Sequence, residues 1–362
     1  MKTTGAVKRM GYYEKLLDLK KIRDLMLDDK SKILFDAKID YMITRNREQF
    51  YNIIDALEKN WYCQELNEIL ARVDIKGIII FGCGHDGKRT KKVLELCNYQ
   101  PTYFCDSDIS KVGSKVEGIN VISAEELTEK YNDYLIVLGS EKYAEEMFHF
   151  LMEKRFPIEK ILYSKYGMVL ARRGKQYFDM FLPEDGEVFI DGGGYNGNTV
   201  SDFVEWSREE YKKVYVFEPI FDMSQVIKGR IEREKITGVE LYNNALWNKK
   251  EDLLFVEAEA GSHIAEVGNS VVKGVTLDEI IKDEKVTYIK LDVEGSELKA
   301  LEGAKNTIKK NKPRLAICIY HKPEDILELP LYILDLVPEY KFYIRHYCSC
   351  MWETVLYAVI PE

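Results

Sequence analysis

Residues 188–199, "VFIDGGGYNGNT", are the stretch on which the reading of the fold turns. An apolar run ends in Asp191, and Gly192, Gly193, Gly194 and Gly197 follow within six positions. Glycine so concentrated after a strand implies that something approaches the backbone closely. The next apolar run, "KVYVFEP", ends in Glu218, 27 residues after Asp191. An acid there can accept two hydrogen bonds from the vicinal hydroxyls of a ribose, while the glycines admit the other end of a ligand at the carboxyl edge of a parallel sheet. These features alone suit a nicotinamide dinucleotide and S-adenosylmethionine equally.

Around this loop, residues 176–362 read as one α/β domain. Its expected strands are "EVFID", "KVYVFEP", "VELYNNAL", "DLLFVEA", "VTYIKLD" and "RLAICIY", followed by a hairpin of "YKFYIRHY" and "ETVLYAVI". Helical spacing at Leu298, Leu301, Ala304 and Ile308 follows "IKLD". Upstream, residues 73–165 repeat the alternation with "GIIIFG", "PTYFCD", "INVIS" and "YLIVLGS", giving a second Rossmann-like domain. Residues 1–72 show apolar positions at intervals of three and four, as in Phe50, Ile53, Ile54 and Leu57, and form a helical N-terminal segment. The segment "YSKYGMVLARRGKQYFDMFLPEDGE" (163–187) is expected to join the two domains. The expected fold is thus α/β, with two mostly parallel sheets behind a helical segment.

Composition narrows the functions open to this chain. Its 362 residues carry a net charge of −9, with 61 acidic and 52 basic side chains, which argues against a general nucleic-acid binder. Its N-terminus has no apolar signal-peptide core, and no apolar run nears the length of a membrane span. Seven cysteines scattered at 63, 83, 97, 105, 318, 348 and 350 suit free thiols, so the reading is a cytoplasmic protein. The helical segment suggests a homodimer.

A second glycine loop, "IIIFGCGHDG", supplies Gly82, Gly84 and Gly87 in G-x-G-x-x-G spacing, with Asp106 in the ribose position. That motif alone is a weak signal, and an accessory role is preferred to redox work. A nicotinamide-dependent oxidoreductase or epimerase would need a Tyr-x-x-x-Lys pair or another hydride-site group, and "YEKLLDLK" lies outside that domain. The remaining alternative is a non-catalytic nucleotide-binding module.

Downstream residues separate the cofactors. "NNALWN" (243–248), "VTLDEI" (275–280) and "YIKLDVEGSELKALEGA" (288–304) follow in order. With them the chain resembles the FkbM family of S-adenosylmethionine-dependent methyltransferases over about residues 185–360. "IDGGGYNGNT" stands at the family's glycine motif, and "FEP" at its ribose-binding acid. "TLDE" and "IKLDVEGSE" match its most distinctive signatures, and "HKPED" and "ETVLYAV" resemble its C-terminal end. The resemblance implies a class I methyltransferase fold, enzyme class EC 2.1.1, that binds S-adenosylmethionine through Asp191, Gly192, Gly193, Gly194, Gly197 and Glu218. It sets Asn244 and Ala245 against adenine. Gly194 and Tyr195 depart from the alanine and asparagine frequent in the family. "LPLY" and "YIRHY" look like a bacterial branch tied to polysaccharide biosynthesis, which implies O-methylation of a sugar hydroxyl on a glycan or nucleotide-sugar substrate.

Methyl transfer needs an aligned acceptor and a group to take its proton. Asp292 ends "VTYIKLD", Glu294 and Glu297 follow, and His321 ends "RLAICIY". The reading makes His321 the base, Glu294 its assistant and Asp292 an orienting group. Glu294 and Glu297 read equally well as acids favoured by a helix N-terminus. Oxygen-rich Asp292, Glu294 and His321 would also suit a divalent metal, but no metal is assigned. "HYCSC", with His346, Cys348 and Cys350, has the wrong spacing for zinc and reads as a strand end. Lys322 and Arg345 read equally well as contacts for an anionic substrate or as surface ion pairs, and Trp206, Trp247 and Trp352 as core or cleft aromatics.

Overall fold

A computed structural model describes residues 16–71, 73–140, 142–162, 176–256, 262–265 and 267–361. Of the expected junction at residues 163–187, residues 163–175 lie outside this set, and the described remainder belongs to the first of two units, where Tyr177 and Phe178 are buried. The chain divides into two compact units. One comprises Met1–Asn46, Arg173–His346 and Trp352–Glu362; the other comprises Arg47–Arg172 and Tyr347–Met351. The N-terminal residues expected as one helical segment are therefore shared. The helix Asp29–Thr44 belongs to the first unit and the helix Arg47–Leu70 to the second.

The second unit is built on β1 (Ile78–Phe81), β2 (Tyr103–Asp106), β3 (Lys115–Val116), β4 (Ile119–Ser123), β5 (Leu135–Leu138) and β6 (Ile161–Leu162). They lie in the order β3-β4-β2-β1-β5-β6, parallel except for β3. β1 and β5 are buried along their whole length, as strands covered on both faces must be. A Cβ on Gly87 would lie 1.9 Å from the Gly82 carbonyl oxygen, so only glycine lets the helix His85–Leu96 pack on this loop. Arg89 is buried against Asp55 and donates to the Ser349 carbonyl, 2.8 Å away. The expectation of free thiols is corrected at one pair: Cys63 and Cys97 are joined as a disulfide, their Cα atoms 5.0 Å apart. The helices Arg47–Leu70 and His85–Leu96 pack together and bring the two sulfurs into reach, which spacing in the sequence could not show.

The first unit holds β7 (Glu187–Gly192), β8 (Tyr211–Phe217), β9 (Val239–Tyr242), β10 (Ala245–Leu246), β11 (Glu251–Val256), β12 (His263–Ile264), β13 (Ser270–Val275), β14 (Tyr288–Leu291), β15 (Arg314–Cys318), β16 (Lys341–His346) and β17 (Thr354–Val359). Seven of them form the main sheet in the order β16-β17-β15-β14-β7-β8-β9. β7, β8, β9, β14 and β15 are mutually parallel, and β17 runs antiparallel between β15 and β16. The last strand thus enters the sheet beside β15 instead of extending its edge. The edge strand β16 is covered by the chain's early residues: Leu27 N–H donates to the Phe342 carbonyl (2.9 Å), and Ile344 N–H to Ser31 Oγ (2.9 Å). Pairing this edge removes a row of unsatisfied backbone groups.

"DLLFVEA" and the neighbouring segments do not join the main sheet. β10, β13, β11 and β12 make a small sheet of their own, with Leu253, Phe255 and Val272 turned inward. Central strand β7 is buried throughout and packs on the helix Asn198–Trp206, with the Phe189 and Phe203 rings stacked 4.4 Å apart. Trp206 lies half-buried at the edge of that aromatic cluster and donates to the Phe181 carbonyl (2.9 Å).

Candidate active site

Parallel strands end on one edge, and the chemistry-bearing residues gather there. Asp191, next to last in β7, is fully buried, 3.0 Å from the ammonium of buried Lys290 on β14. That ammonium also donates to the carbonyls of Gly192 (3.1 Å) and Gly193 (2.6 Å). Asp191 therefore holds the lysine that shapes the glycine loop and does not face outward as a ligand-gripping group. Burial raises the Asp191 pKa, opposed by the Lys290 charge.

Gly193 has φ +80°, and a Cβ there would fall 1.9 Å from the Asp292 carbonyl oxygen. The loop is thereby pressed against the end of β14, closed by Asp292 N–H donating to the Gly192 carbonyl (3.0 Å). Gly193 and Gly194 N–H both donate to the Phe217 carbonyl, and Gly197, also left-handed, begins the next helix.

Glu218 lies buried across from this loop. Its carboxylate accepts Tyr195 N–H (2.8 Å) and Ile220 N–H (2.9 Å). Burial pushes its pKa up to about 7, partly offset by the Ile220 hydrogen bond. Asn243, a residue the sequence reading passed over, ties the segment down by donating to the carbonyls of Glu218 (2.9 Å) and Pro219 (3.0 Å). Asn244 instead reaches the Lys273 carbonyl (3.2 Å), and Ala245 is buried in β10.

Beyond the loop, a histidine sits among carboxylates. His321 Nδ1 lies 2.9 Å from Glu297, and Nε2 lies 3.2 Å from Glu294 and 3.5 Å from Asp292. These approaches are off the axes that hydrogen bonds require, so they are ionic contacts. Burial alone would lower the His321 pKa, but Glu294, Glu297 and Asp292 outweigh it and push it up to about 11. Burial works likewise to raise the Asp292 pKa, and Lys290 and His321 bring it below the usual carboxylate range. Tyr177 and Tyr320 hydroxyls donate to the two Asp292 oxygens at 2.9 and 3.0 Å, and Trp352 stands 6.1 Å from the Tyr320 ring.

The structure thus brings Asp292, Glu294 and His321 together and adds Glu297, Tyr177 and Tyr320, which sequence reasoning left without a role. Glu294 has φ +53° and Gly295 φ +88°, a left-handed pair that turns the chain back under His321. A lysine inside the apolar run "VTYIKLD" was the legible signal for Lys290, because a buried ammonium demands a partner. Glu297 was visible only as an acid at a helix start.

Other candidates from the sequence have different partners. In the second unit, the Asp106 carboxylate accepts Cys83 N–H (3.1 Å) and Asp108 N–H (3.0 Å) and pairs with Lys111. Its capacity is largely spent on its own loop. His346 is buried against Thr354 Oγ1 (2.8 Å), Arg345 pairs with Asp28, and Lys322 donates to the Gly295 carbonyl.

A glycine loop after the first strand, an acid after the second, and a sheet whose seventh strand enters antiparallel between the fifth and the sixth define a class I methyltransferase fold. Within it, residues 191–344 match the methyltransferase FkbM domain, so the first unit carries an FkbM-type S-adenosylmethionine-dependent methyltransferase domain. Residues 74–162 match the family described as C2185-like, N-terminal. No curated protein matches the chain. Among solved structures, a methyltransferase FkbM from Methylobacillus flagellatus KT is 19% identical, covering 81% of this chain and 93% of its own, with a TM-score of 0.49. A SAM-dependent methyltransferase from Aquifex aeolicus is 17% identical, covering 53% and 91%, at a TM-score of 0.34. TrmK of M. capricolum, solved with S-adenosyl-homocysteine, is 13% identical, covering 52% and 67%, at a TM-score of 0.33.

Proposed function

We propose that this protein methylates a sugar hydroxyl on a glycan or nucleotide-sugar substrate. The observation that carries the reading is the Asp292–Glu294–Glu297–His321 cluster, in direct backbone contact with the glycine loop through Asp292 and Gly193. The assignment of a sugar rests on the family resemblance.

The residues present fit the cofactor. Gly193 leaves room at the loop, and Glu218 is a buried acceptor facing the same loop. When bound, S-adenosylmethionine supplies a methyl group made electrophilic by a sulfonium. Glu218 receives the ribose hydroxyls, and Lys290 with Asp191 keeps the loop in shape. Asp292, fixed by two tyrosine hydroxyls, orients the acceptor hydroxyl. Transfer of that methyl to the acceptor oxygen would leave the S–C electron pair on sulfur, and the hydroxyl proton would pass to a carboxylate of this cluster.

Glu294 takes that proton. A histidine with a pKa of about 11 already carries its proton at neutral pH and is a poor acceptor, whereas the Glu294 side chain is 44% exposed beside it. The order expected from the sequence, His321 as base with Glu294 assisting, is thus reversed in this proposal. The test uses methyl-labelled S-adenosylmethionine and a panel of nucleotide sugars and glycans. Alkali-stable label on a sugar is the expected result. Glu294→Gln lowers turnover by about 10²-fold or more with cofactor affinity intact. Turnover unaffected by Glu294→Gln but abolished by His321→Asn would return the base role to His321.

A further inference from the structure

We infer that Asp292, Glu297 and His321 form a binding site for a divalent first-row cation. Each offers a donor atom, the His321 imidazole once the cation displaces its proton, and the three donors lie within 4.8 Å of one another. Opposite oxygen ligands of an octahedral cation with bonds of about 2.1 Å stand about 4.2 Å apart, so small side-chain movements suffice. Two carboxylates and one imidazole suit manganese best among common ions of that geometry.

A second observation comes from the buried groups themselves. The His321 side chain is 9% exposed, and neither ring nitrogen makes a hydrogen bond with proper geometry among the described residues. Glu297 is 1% exposed, and its Oε2 has no hydrogen-bond partner among them. His321 meets its neighbouring carboxylates through ionic contacts alone, and Glu297 Oε2 is left with a desolvation cost that a cation would offset.

The surroundings are those of an oriented ligand set. Tyr177 and Tyr320 hydroxyls hold Asp292, and Val293 N–H holds Glu297 Oε1 at 3.0 Å. Such outer contacts fix ligand direction in metal sites. The three residues come from the end of β14, the start of the helix Glu297–Gly303 and the residues following β15, beside the glycine loop. Glu294 remains outside the trio, free to act as the base. The site is defined by its own donors and does not rest on the methyl-transfer reading.

The experiment titrates Mn²⁺ into the full chain after chelator treatment, following loss of the free-ion electron paramagnetic resonance signal. One equivalent bound with saturation is expected, weakened about tenfold or more in Glu297→Gln and His321→Gln and unchanged in the surface control Asp252→Asn. Circular dichroism checks that each variant folds. Should the variants fail to fold, ¹⁵N-histidine spectra of the unaltered chain decide: bound Mn²⁺ must broaden the His321 imidazole ahead of the other histidines. No saturation by about 1 mM, equal binding in both folded variants, or broadening centred on another histidine would overturn the site. Calorimetry with S-adenosylmethionine on the same samples keeps failure of the metal site distinct from failure of the cofactor reading.

Discussion

At Glu218, one carboxylate couples cofactor binding to pH. Its pKa is pushed up to about 7 by burial, so without ligand the folded chain prefers it protonated. Ribose hydroxyls donate to the ionised form. Affinity for S-adenosylmethionine should therefore rise by up to about tenfold per pH unit below 7 and level off above it. Stability runs the other way: the contribution of this group is full below the unfolded pKa and is lost as pH rises toward 7. Calorimetry across pH 5–9 checks the first statement, and Glu218→Gln should flatten the profile while weakening binding. Lys290→Met poses a different problem, since it strands the Asp191 charge in a fully buried position. A loss of about 3–5 kcal/mol is expected in denaturant unfolding, with Asp191→Asn in the same chain recovering part of it.

The elements matter through the direction in which they deliver these side chains. β7 and β14 pair in parallel register, with Lys290 opposite Asp191 and Leu291 opposite Gly192. That register sets the ammonium beneath the loop. Phe203 on the helix Asn198–Trp206 stacks on Phe189 and fixes the angle at which the helix leaves Gly197. Phe203→Ala should cost about 3–5 kcal/mol, and the cavity at the loop's base should weaken cofactor binding as well. Gly193→Ala acts more locally. Its methyl would overlap the Asp292 carbonyl at 1.9 Å, so binding should be lost while the melting temperature changes less than in Phe203→Ala.

At the scale of the whole molecule, two mostly parallel sheets in one chain present two carboxyl edges, each with a glycine loop. Ligand melting curves discriminate between them. S-adenosylmethionine at about 100 times its Kd should stabilise the chain by about 2.7 kcal/mol, and NAD at equal concentration should leave it unchanged. A response to NAD alone would revive the oxidoreductase reading of the Gly82 loop. No helix among the described residues is long and apolar enough to cross a membrane.

Sequence alone determined the α/β class, most central strands of the two parallel sheets, the glycine loop with Glu218, and the placing of Asp292, Glu294 and His321 at neighbouring strand ends. These follow from periodicity, from breakers and from residues that end strands, all of which are local. Tertiary structure decided the rest. The side chains of Asp191 and Lys290, far apart in sequence, meet only because β7 and β14 are paired. Glu297 joins His321 only because Glu294 and Gly295 turn the chain back. The His321 pKa is pushed up because three carboxylates from neighbouring elements surround it, and electrostatics of that kind depends on distances through space.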